Sequence, residues 1–438
     1  MRVLVVGGGG REHALISSFT RSRLADDIFC APGNAGTGAE AHNVDIGAED
    51  LPALLSFARR NRIDLTVVGP EAPLVAGLAD LFREHGLAVF GPSGRAARLE
   101  GSKSFAKEIM MEGGVPTGRY EQHRSVETAL AALTRQESWP LVVKADGLAA
   151  GKGVMICADH GEARDAIESC FLERAFGEAG EVVITEEYLS GPEVSLLVLC
   201  DGRTAVPLAP AQDYKRIFAG DQGPNTGGMG SYCPVPGFEE KAIDAAMEQV
   251  VEPVVTTLRR RGIDYRGVLY AGLMVTPDGM KVLEFNCRFG DPETQAVLPR
   301  LRSDLLELCA ATAGGELAGV KTEWSPEDCV TVVMASAGYP AGSHKGDRIT
   351  GLEAAAALDG VSVFHAGTAL EGDEVVTAGG RVLAVSALGA GFAGARERAY
   401  EAVGRIQFDG QQIRPDIAER AVRAQSGEID LFPTGVAG

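Results

Sequence analysis

The N-terminal part of the chain repeats one pattern three times, in which a short apolar strand is followed by a glycine- or proline-rich loop and then by a helical segment. Strands that alternate with helices imply a parallel sheet, and ligands of such a sheet bind beyond the carboxyl ends of its strands. The loops are therefore predicted to converge on one crevice, although each alone is compatible with an ordinary turn. The strand and loop pairs are Arg2–Val6 with Gly7–Gly10, Ile28–Ala31 with Pro32–Thr37, and Asp64–Val68 with Gly69–Leu74.

The first loop, Gly7–Gly10, has the local pattern of an anion site. A strand, a glycine turn and a helix direct backbone N–H groups and the helix dipole at a bound anion. The dinucleotide fingerprint G-x-G-x-x-G/A fails here, because the third small residue counted from Gly8 should stand at His13 and Ala14 comes one place later. The loop therefore predicts phosphate binding, and an NAD-dependent oxidoreductase is a disfavoured alternative.

Two lysines accompany a second glycine-rich loop in the central part of the chain. Pro140–Ile156 is interpreted as strand, loop and strand, with Lys144 ending the first strand and Lys152 in the loop. A Walker A motif is excluded because Gly153 stands where its hydroxyl residue should follow the lysine. The pattern predicts a loop that closes over phosphates and supplies two point charges.

Three neighbouring segments add weaker signals. Lys103 follows the plausible helix N-cap Ser102, and a lysine there is unfavourable to the helix dipole unless a bound anion compensates it. The strand Val182–Leu189 carries two carboxylates near its end, which predicts either an exposed acidic strand end or a nucleoside contact. Gly220–Gly230 is too rich in glycine for a core and is interpreted as a substrate-covering loop.

The strongest single motif is the strand that begins at Lys281, the second strand of a predicted hairpin. Strand alternation places Glu284, Asn286 and Arg288 on one face together with Val282, and places Leu283, Phe285 and Cys287 on an apolar face. Carboxylate and amide oxygens suit a magnesium ion that is held together with substrate phosphates. An arginine one pleat further along suits a phosphoryl group or a carboxylate. A solvated polar edge is the alternative.

Composition limits the classes of function. The 438 residues suggest about three domains, and the net charge of −19 argues against general nucleic-acid binding. The eight cysteines lie mostly in apolar segments without a C-x-x-C pair, which predicts a reducing compartment and no zinc site. With no long apolar run and no signal-peptide pattern, the chain is expected to be cytoplasmic and not membrane-bound.

Together, these segments resemble the ATP-grasp superfamily and, within it, the phosphoribosylamine–glycine ligase (glycinamide ribonucleotide synthetase) family. The resemblance covers residues 2 to about 425. It is carried by Gly7–Ala14, Pro32–Thr37, Gly69–Leu74, Gly101–Phe105, Val142–Gly153, Gly223–Gly230 and Glu284–Gln295, with further matches at Ala337–Pro340 and Phe364–Thr368.

The resemblance implies an α/β fold with three domains. An N-terminal parallel-sheet domain is expected at 1–100, a two-lobed ATP-grasp α+β domain at 101–325 with its lid lobe at about 120–190, and a small mixed α/β domain at 326–425. In the last domain, strands are predicted at Val330–Ala335, Val361–His365 and Arg381–Leu388, before a helix near Gly394–Ile406. The tail, residues 426–438, lacks apolar periodicity and is predicted to be frayed.

The resemblance also implies a reaction between ATP, glycine and 5-phosphoribosylamine. ATP converts the glycine carboxylate into an acyl phosphate, and the amine of phosphoribosylamine attacks it to give glycinamide ribonucleotide, ADP and phosphate. The family is expected to act as a monomer on these small substrates, with Mg²⁺ or Mn²⁺. Rival readings are a related ligase or carboxylase with another acid or amine, and a nucleotide sensor without activity. The retained Lys144, Glu284, Asn286 and Arg288 disfavour the sensor.

Site residues follow from the resemblance position by position. Glu284 and Asn286 would hold the metal, and Arg288, Lys144 and Lys152 would be catalytic. The ATP set would be Lys103, Lys144, Gly147, Gly151, Lys152, Gly153, Glu186, Glu187, Tyr188, Leu189 and Glu193. The substrate set would be Gly8, Gly9, Gly10, Arg11, Glu12, Asn34, Thr37, Pro70, Glu71, Asp213, Lys215, Arg288, Asp291, Pro292, Glu293 and Thr294.

The sequence departs from the family pattern at three places. The segment Gly267–Val275 lacks the carboxylate that supplies a second metal ligand in many ATP-grasp enzymes. Tyr214 stands where the family pattern has histidine, and Pro415 and Ala418 depart from an arginine-any-Asp-Ile-Gly pattern near the C-terminus.

Overall fold

The computed structural model describes residues 1–148 and 153–432. The N-terminal sheet is parallel, with Arg2–Gly7 at its centre because this strand is apolar on both faces and is covered on both. Its strands, in spatial order, are His42–Asn43, Asp27–Pro32, Arg2–Gly7, Leu65–Val68 and Val89–Phe90. The surrounding helices are Gly10–Phe19, Thr37–Glu40, Leu51–Asn61, Glu71–Val75, Leu78–Glu84 and Gly94–Gly101.

A separate four-stranded antiparallel sheet occupies the segment predicted as the lid lobe. It has its own apolar cluster, in which Leu133, Val143 and Ile167 are buried between the sheet and its helices. The strands, in spatial order, are Tyr120–His123, Val183–Glu187, Leu141–Ala145 and Val154–Cys157, and the helices are Val126–Leu133 and His160–Phe171.

The other lobe of the central region is built on an antiparallel sheet with the order Ala205–Pro207, Glu193–Asp201, Arg266–Thr276 and Gly279–Asn286. Ser102 accepts a hydrogen bond from the Phe105 N–H and so caps the helix that packs beside this sheet. The helices of this region are Lys103–Gly113, Glu240–Ala246, Glu252–Arg260, Glu293–Val297 and Leu305–Gly314. A small hairpin of Arg216–Phe218 and Gln222–Asn225 projects from it.

The alternation predicted for the last strand of this sheet is wrong at Val282 and at Leu283, which lines the cleft and is not part of the core. Gly272 pairs with Glu284 and Leu273 pairs with Val282, so Leu283 is the extra residue of a β-bulge. The bulge moves Val282 to the core side with Phe285, and Val282 is fully buried. Glu284 and Asn286 keep the predicted common direction, since both lie beyond the bulge and face one cleft.

The C-terminal sheet crosses the position predicted as a domain boundary near residue 326. Two of its strands come from the central region: Gln212–Asp213 pairs with Gly230–Cys233, which in turn pairs with Asp328–Ala335. Arg381–Gly389 and Val361–His365 complete the sheet, and Thr368–Glu371 pairs with Glu374–Thr377 in a hairpin. The helices are Leu352–Ala356, Phe392–Arg405 and Glu419–Gln425.

The prediction of a frayed tail is wrong at Leu431 and Phe432. Phe432 is buried, with its ring centroid 6.0 Å from that of Phe238, because the tail returns to the main apolar core. Within the described residues, 1–148 and 153–432, there is no helix with the length and apolar character needed to cross a bilayer.

Candidate active site

One cleft of about 540 Å³ is lined by residues of the N-terminal loops, both central lobes and the C-terminal sheet. Its walls carry many charged side chains, which suits phosphorylated ligands more than apolar ones. The sequence-predicted residues that line it are Arg11, Pro70, Glu71, Lys103, Lys144, Gly147, Gly153, Asp213, Lys215, Glu284, Asn286, Arg288, Asp291 and Glu293.

The N-terminal loops meet beside the cleft, but several of their predicted substrate residues are used inside the loops. Glu12 is buried and accepts hydrogen bonds from the Gly9 N–H at 2.6 Å and from Arg11 Nε at 2.6 Å. A Cβ at Gly69 would lie 1.9 Å from Glu12 Oε1, so only glycine lets the third loop approach this carboxylate. Gly10 begins the helix that follows.

The second N-terminal loop is likewise held by its own polar groups. Asn34 Nδ2 donates to the Gly8 carbonyl at 3.0 Å and to the His365 carbonyl at 2.8 Å. Thr37 Oγ1 lies 2.8 Å from Asn43 Oδ1 and is fully buried. Asn34 therefore joins the loops to the C-terminal sheet, while Arg11 and the third-loop pair Pro70 and Glu71 are the predicted members that line the cleft.

A buried triad of Lys107, Glu186 and Lys144 closes the side of the cleft next to the lid lobe. Glu186 is paired with Lys107, and its Oε2 lies 2.5 Å from Lys144 Nζ. Lys103 Nζ donates to the Ala145 carbonyl at 2.8 Å and to the Gly147 carbonyl at 3.2 Å, and burial lowers the pKa of Lys103. The two ammonium groups and one carboxylate of the triad carry a net positive charge, and Lys103 adds to it, as phosphate binding requires.

Four further predicted ATP residues follow Glu186 in the chain: Glu187, Tyr188 and Leu189 at the end of a lid-sheet strand, and Glu193 at the start of a strand of the neighbouring sheet. Glu187 accepts hydrogen bonds from Lys281 and Arg119, which lower its pKa to about 2 against the opposing effect of burial. Tyr188 is exposed, Leu189 is buried, and Glu193 is paired with Lys215. Gly151 and Lys152 lie outside the described residues.

The candidate metal ligands, Glu284 and Asn286, face the cleft from adjacent positions on one side of their strand. Burial opposes ionisation of Glu284, but Lys215, Lys144 and Lys103 lower its pKa, so the carboxylate stays charged. Lys215 Nζ lies 3.9 Å from Glu284 Oε1. One carboxylate and one amide oxygen fit an ion such as Mg²⁺, which takes its other ligands from phosphates and water.

Two further acidic side chains of the cleft, Asp213 and Glu293, are less suited to hold a metal ion. Burial raises the pKa of Asp213 well above its usual value, with Lys215 opposing the rise. Glu293 Oε1 accepts from the Tyr270 hydroxyl at 2.9 Å. Across residues 1–148 and 153–432, no group of three or more His, Cys, Asp or Glu side chains is arranged to hold a metal without such substrate ligands.

Arg288 lies between two carboxylates at the far side of the cleft. Its NH2 donates to Glu100 Oε1 at 2.9 Å and its Nε donates to Glu71 Oε2 at 3.3 Å. Glu100 is itself fixed by the Cys287 N–H at 2.8 Å, and burial raises the pKa of Glu100. Despite burial, the pKa of Arg288 is raised by Glu100 and then by Glu71. The guanidinium is thus permanently charged and rigidly aimed.

The turn after Arg288 completes this wall. Asp291 lies 3.2 Å from Arg381 NH1, and this arginine lowers the pKa of Asp291 despite burial. Pro292 packs on Gly228, where a Cβ would lie 2.4 Å from Pro292 Cδ. The Thr294 hydroxyl is fully buried and donates to the Gly290 carbonyl at 2.6 Å, so Thr294 stabilises the turn and does not line the cleft.

Three charged residues of the cleft are missing from the sequence prediction: Glu100, Lys107 and Arg381. Lys107 stands one helical turn after Lys103, so both lie on one face of the helix. This spacing could have identified Lys107 from the sequence. Glu100 immediately precedes the Gly101–Phe105 motif. Arg381 reaches the cleft only through tertiary pairing of its strand.

Family models decide the relationship. The N domain of phosphoribosylglycinamide synthetase matches residues 1–100, its ATP-grasp (A) domain matches residues 101–294, and its C domain matches residues 329–420. The chain belongs to this family. The predictions of the family, of the three-part α/β fold and of an ATP-dependent ligase are confirmed.

Relatives match over nearly the whole chain. Phosphoribosylamine–glycine ligase of Brucella melitensis biotype 1 is 50% identical over 97% of this chain and 99% of the relative. The ligase of Caldanaerobacter subterraneus subsp. tengcongensis is 48% identical over 95% of this chain and 99% of its own length. The crystal structure of the Thermotoga maritima ligase superposes with a TM-score of 0.82 at 32% identity, covering 95% of this chain and 100% of that one.

More distant structures share the fold alone. A biotin carboxylase domain of Hydrogenobacter thermophilus 2-oxoglutarate carboxylase, in complex with MgADP, has a TM-score of 0.71 at 16% identity and covers 97% of this chain and 98% of that chain.

Proposed function

We propose that the chain joins glycine to 5-phosphoribosylamine at the expense of ATP, through a glycyl phosphate, and releases glycinamide ribonucleotide, ADP and phosphate. The observation that carries the proposal is one cleft in which the family's lysines, Glu284, Asn286 and Arg288 converge. Phosphoryl transfer depends mainly on positioning and charge neutralisation, so this arrangement suffices without a protein nucleophile.

The lysines next to the lid lobe would bind the nucleotide phosphates. Lys103 and Lys144 line the cleft there, and Lys107 adds charge behind them. Glu186 keeps the lysine pair ordered when the phosphates are absent, because both ammonium groups are paired with it. Gly147 and Gly153 would let the backbone approach the phosphates, with adenine and ribose lying along Glu186–Leu189.

Glu284 and Asn286 would hold Mg²⁺ or Mn²⁺. The ion supplies charge neutralisation for the phosphate oxygens during transfer. Lys215, which is paired with Glu193, stands beside Glu284 and would add positive charge next to the metal ligands.

Arg288 would bind the oxygens that become charged as the glycine carboxylate attacks the γ-phosphate. Its fixed guanidinium offers planar donors that match either a carboxylate or a phosphoryl group. The Arg288 NH1 also donates to the Phe289 carbonyl at 3.2 Å, so the group is held before substrate arrives. Arg11, Pro70 and Glu71 would face phosphoribosylamine beside Arg288, since Glu71 accepts a hydrogen bond from Arg288 and Arg11 donates one to the Phe289 carbonyl.

We also propose that the chain works as a monomer in the cytoplasm and does not bind nucleic acid. All eight cysteines are buried thiols, which supports a reducing compartment. The formal charge of −19 supports the absence of a nucleic-acid surface.

A coupled assay of ADP release across amino acids tests the function. ADP should form only when ATP, a divalent metal ion, glycine and phosphoribosylamine are all present. Equal turnover with another amino acid, or none with glycine, would reject the assignment. Repeating the assay with Mg²⁺ and Mn²⁺ after metal removal identifies the ion.

A further inference from the structure

The hairpin of residues 216–225 begins and ends beside the cleft. Its strands, Arg216–Phe218 and Gln222–Asn225, pair antiparallel. Lys215 precedes the first strand, Asn225 ends the second, and both line the cleft. We call these residues the covering hairpin. Two-stranded hairpins are marginally stable by themselves, so its position depends on what holds it.

The tip of the covering hairpin is held by one buried ion pair of the C-terminal segment. Arg414 is fully buried and pairs with Asp416 through two contacts, Nε to Oδ1 at 2.9 Å and NH2 to Oδ2 at 2.6 Å. Arg414 NH1 donates to the Arg216 carbonyl at 2.9 Å and to Asp221 Oδ1 at 3.0 Å. Asp416 Oδ2 accepts from the Gly220 N–H at 2.9 Å. The pair therefore contacts both the first strand and the tip.

Arg420 adds a second contact from the same segment. Its NH2 lies 3.2 Å from Asp221 Oδ2, and its guanidinium carbon lies 5.4 Å from the Tyr214 ring centroid. The Arg414 guanidinium carbon lies 4.8 Å from the same ring, at the distance of a cation–π contact. The Tyr214 hydroxyl accepts a hydrogen bond from the Ala418 N–H at 3.0 Å.

Two of the three sequence departures from the family pattern, Tyr214 and the Pro415 and Ala418 pair, thus border one cluster. Pro415 separates Arg414 from Asp416, and Ala418 is bonded to Tyr214. Tyr214 lies directly before the cleft residue Lys215, so the side chain that contacts Arg414 and Arg420 is the chain neighbour of a cleft residue.

The C-terminal domain also contacts the chain where it leaves the hairpin. Arg381 NH1 donates to the Gly227 carbonyl at 2.6 Å, and the Gly227 N–H donates to the Tyr339 hydroxyl at 2.9 Å. The covering hairpin is thereby fixed at its tip and at its base by residues far away in the sequence.

We propose that Arg414, Asp416 and Arg420 form an anchor that positions the covering hairpin and, through it, Lys215 and Asn225 in the cleft. The kinetic part of this proposal rests on the function proposed above. The three residues are positioning residues, because they contact the hairpin and act on the cleft through it. Loss of the anchor releases the cleft-facing ends of the hairpin while the sheets beneath stay folded.

Asp221→Gly is the sharpest test. Asp221 has φ +55, which glycine adopts without strain, so the change removes the contacts to Arg414 and Arg420 and keeps the backbone turn. Asp278→Gly is the matched control, because Asp278 is an exposed aspartate in the turn between Arg266–Thr276 and Gly279–Asn286.

Amide hydrogen exchange and steady-state kinetics are measured on both variants and on the unchanged enzyme. For Asp221→Gly we expect exchange of the hairpin amides to quicken and kcat/KM for glycine to fall about tenfold, since small misplacements of cleft groups are costly. The Kd for ADP should stay within about twofold, because the lid-side contacts are untouched. The control should match the unchanged enzyme in all three measurements.

Equal hairpin exchange in Asp221→Gly and its control would overturn the anchor, and faster exchange with unchanged kcat/KM would overturn its positioning role. If Asp221→Gly does not fold, Arg420→Gln removes only the outer contact and must shift both readouts in the same direction. Absence of turnover in the unchanged enzyme would reject the proposed function instead, while hydrogen exchange would still decide whether the anchor exists.

Discussion

Replacing Arg288 with methionine should destabilise the fold through Glu100. The Arg288 and Glu100 side chains are 17% and 8% exposed, and their charged groups are 2.9 Å apart. Methionine keeps much of the apolar stem but leaves the buried carboxylate without its cation. Removing one partner of a buried ion pair lowers the free energy of unfolding by about 3–5 kcal/mol. We expect a loss of about 3 kcal/mol at neutral pH, because Glu71, the second carboxylate beside Arg288, is partly exposed and its charge can be solvated.

The loss should depend on pH in a defined direction. Burial raises the pKa of Glu100 above its usual 4.5 even beside Arg288. A carboxyl group with a raised folded-state pKa gives its full stabilisation below 4.5, and this contribution is lost as pH rises through the folded-state pKa. Without Arg288 that pKa rises further, so the loss extends to higher pH. The variant should therefore differ less from the unchanged enzyme at about pH 5 than at about pH 8.

Urea unfolding followed by circular dichroism measures the free energy of unfolding at both pH values. The matched double variant Arg288→Met with Glu100→Gln should recover at least about half of the loss at about pH 8, because no buried charge then remains at position 100. An equal loss at both pH values, together with no recovery in the double variant, would refute the reasoning. Turnover should stay low in both variants, since the proposed contact with the phosphoryl group is gone.

Three further changes test other parts of the molecule. Glu284→Ala should reduce ADP release to below about a hundredth while leaving the circular dichroism spectrum unchanged, and retained turnover would remove its metal role. Burial lowers the pKa of Lys107 from 10.5 to about 8. The free energy of unfolding of the unchanged enzyme should therefore rise between about pH 8 and 10.5 relative to that of Lys107→Met. If the two proteins show the same dependence of unfolding free energy on pH, the prediction is wrong. Ala418 is buried with φ +61°. Ala418→Gly relieves about 1–2 kcal/mol of backbone strain but removes a buried methyl group and makes the unfolded chain more flexible. The free energy of unfolding in urea should therefore change by less than about 1 kcal/mol, and a larger gain would contradict this reasoning.

The convergence of the N-terminal loops could be predicted because parallel-sheet topology alone brings strand ends together. The direction of individual side chains could not. Glu12, Asn34 and Thr37 satisfy backbone and side-chain groups of the loops, and these local requirements are invisible in a motif. Arg11 and Glu71 reach the cleft because their loops are already supported by such contacts.

The central motif shows where periodicity holds and where it fails. Glu284 and Asn286 share a side, as alternation requires, but the bulge at Leu283 transfers Val282 to the core. A bulge depends on the residues of the partner strand, here Gly272 opposite Glu284, so the residue pattern of the bulged strand alone does not predict it. The glycine also stands on the strand that lacks a second metal carboxylate, and a Cβ there would lie 3.3 Å from Glu284 Cγ.

The long-range partners explain why the C-terminal domain belongs to the site. Arg381–Gly389 pairs with Asp328–Ala335, which pairs with Gly230–Cys233 and, through it, with Gln212–Asp213. The same sheet therefore carries Asp213 and Arg381, which line the cleft from different parts of the chain. A boundary near residue 326 separates these strands in sequence, but their hydrogen bonds make them one element. Domain motion that opened the cleft along that boundary would have to break this sheet, so we expect opening to occur at the lid lobe, whose sheet and apolar cluster are separate.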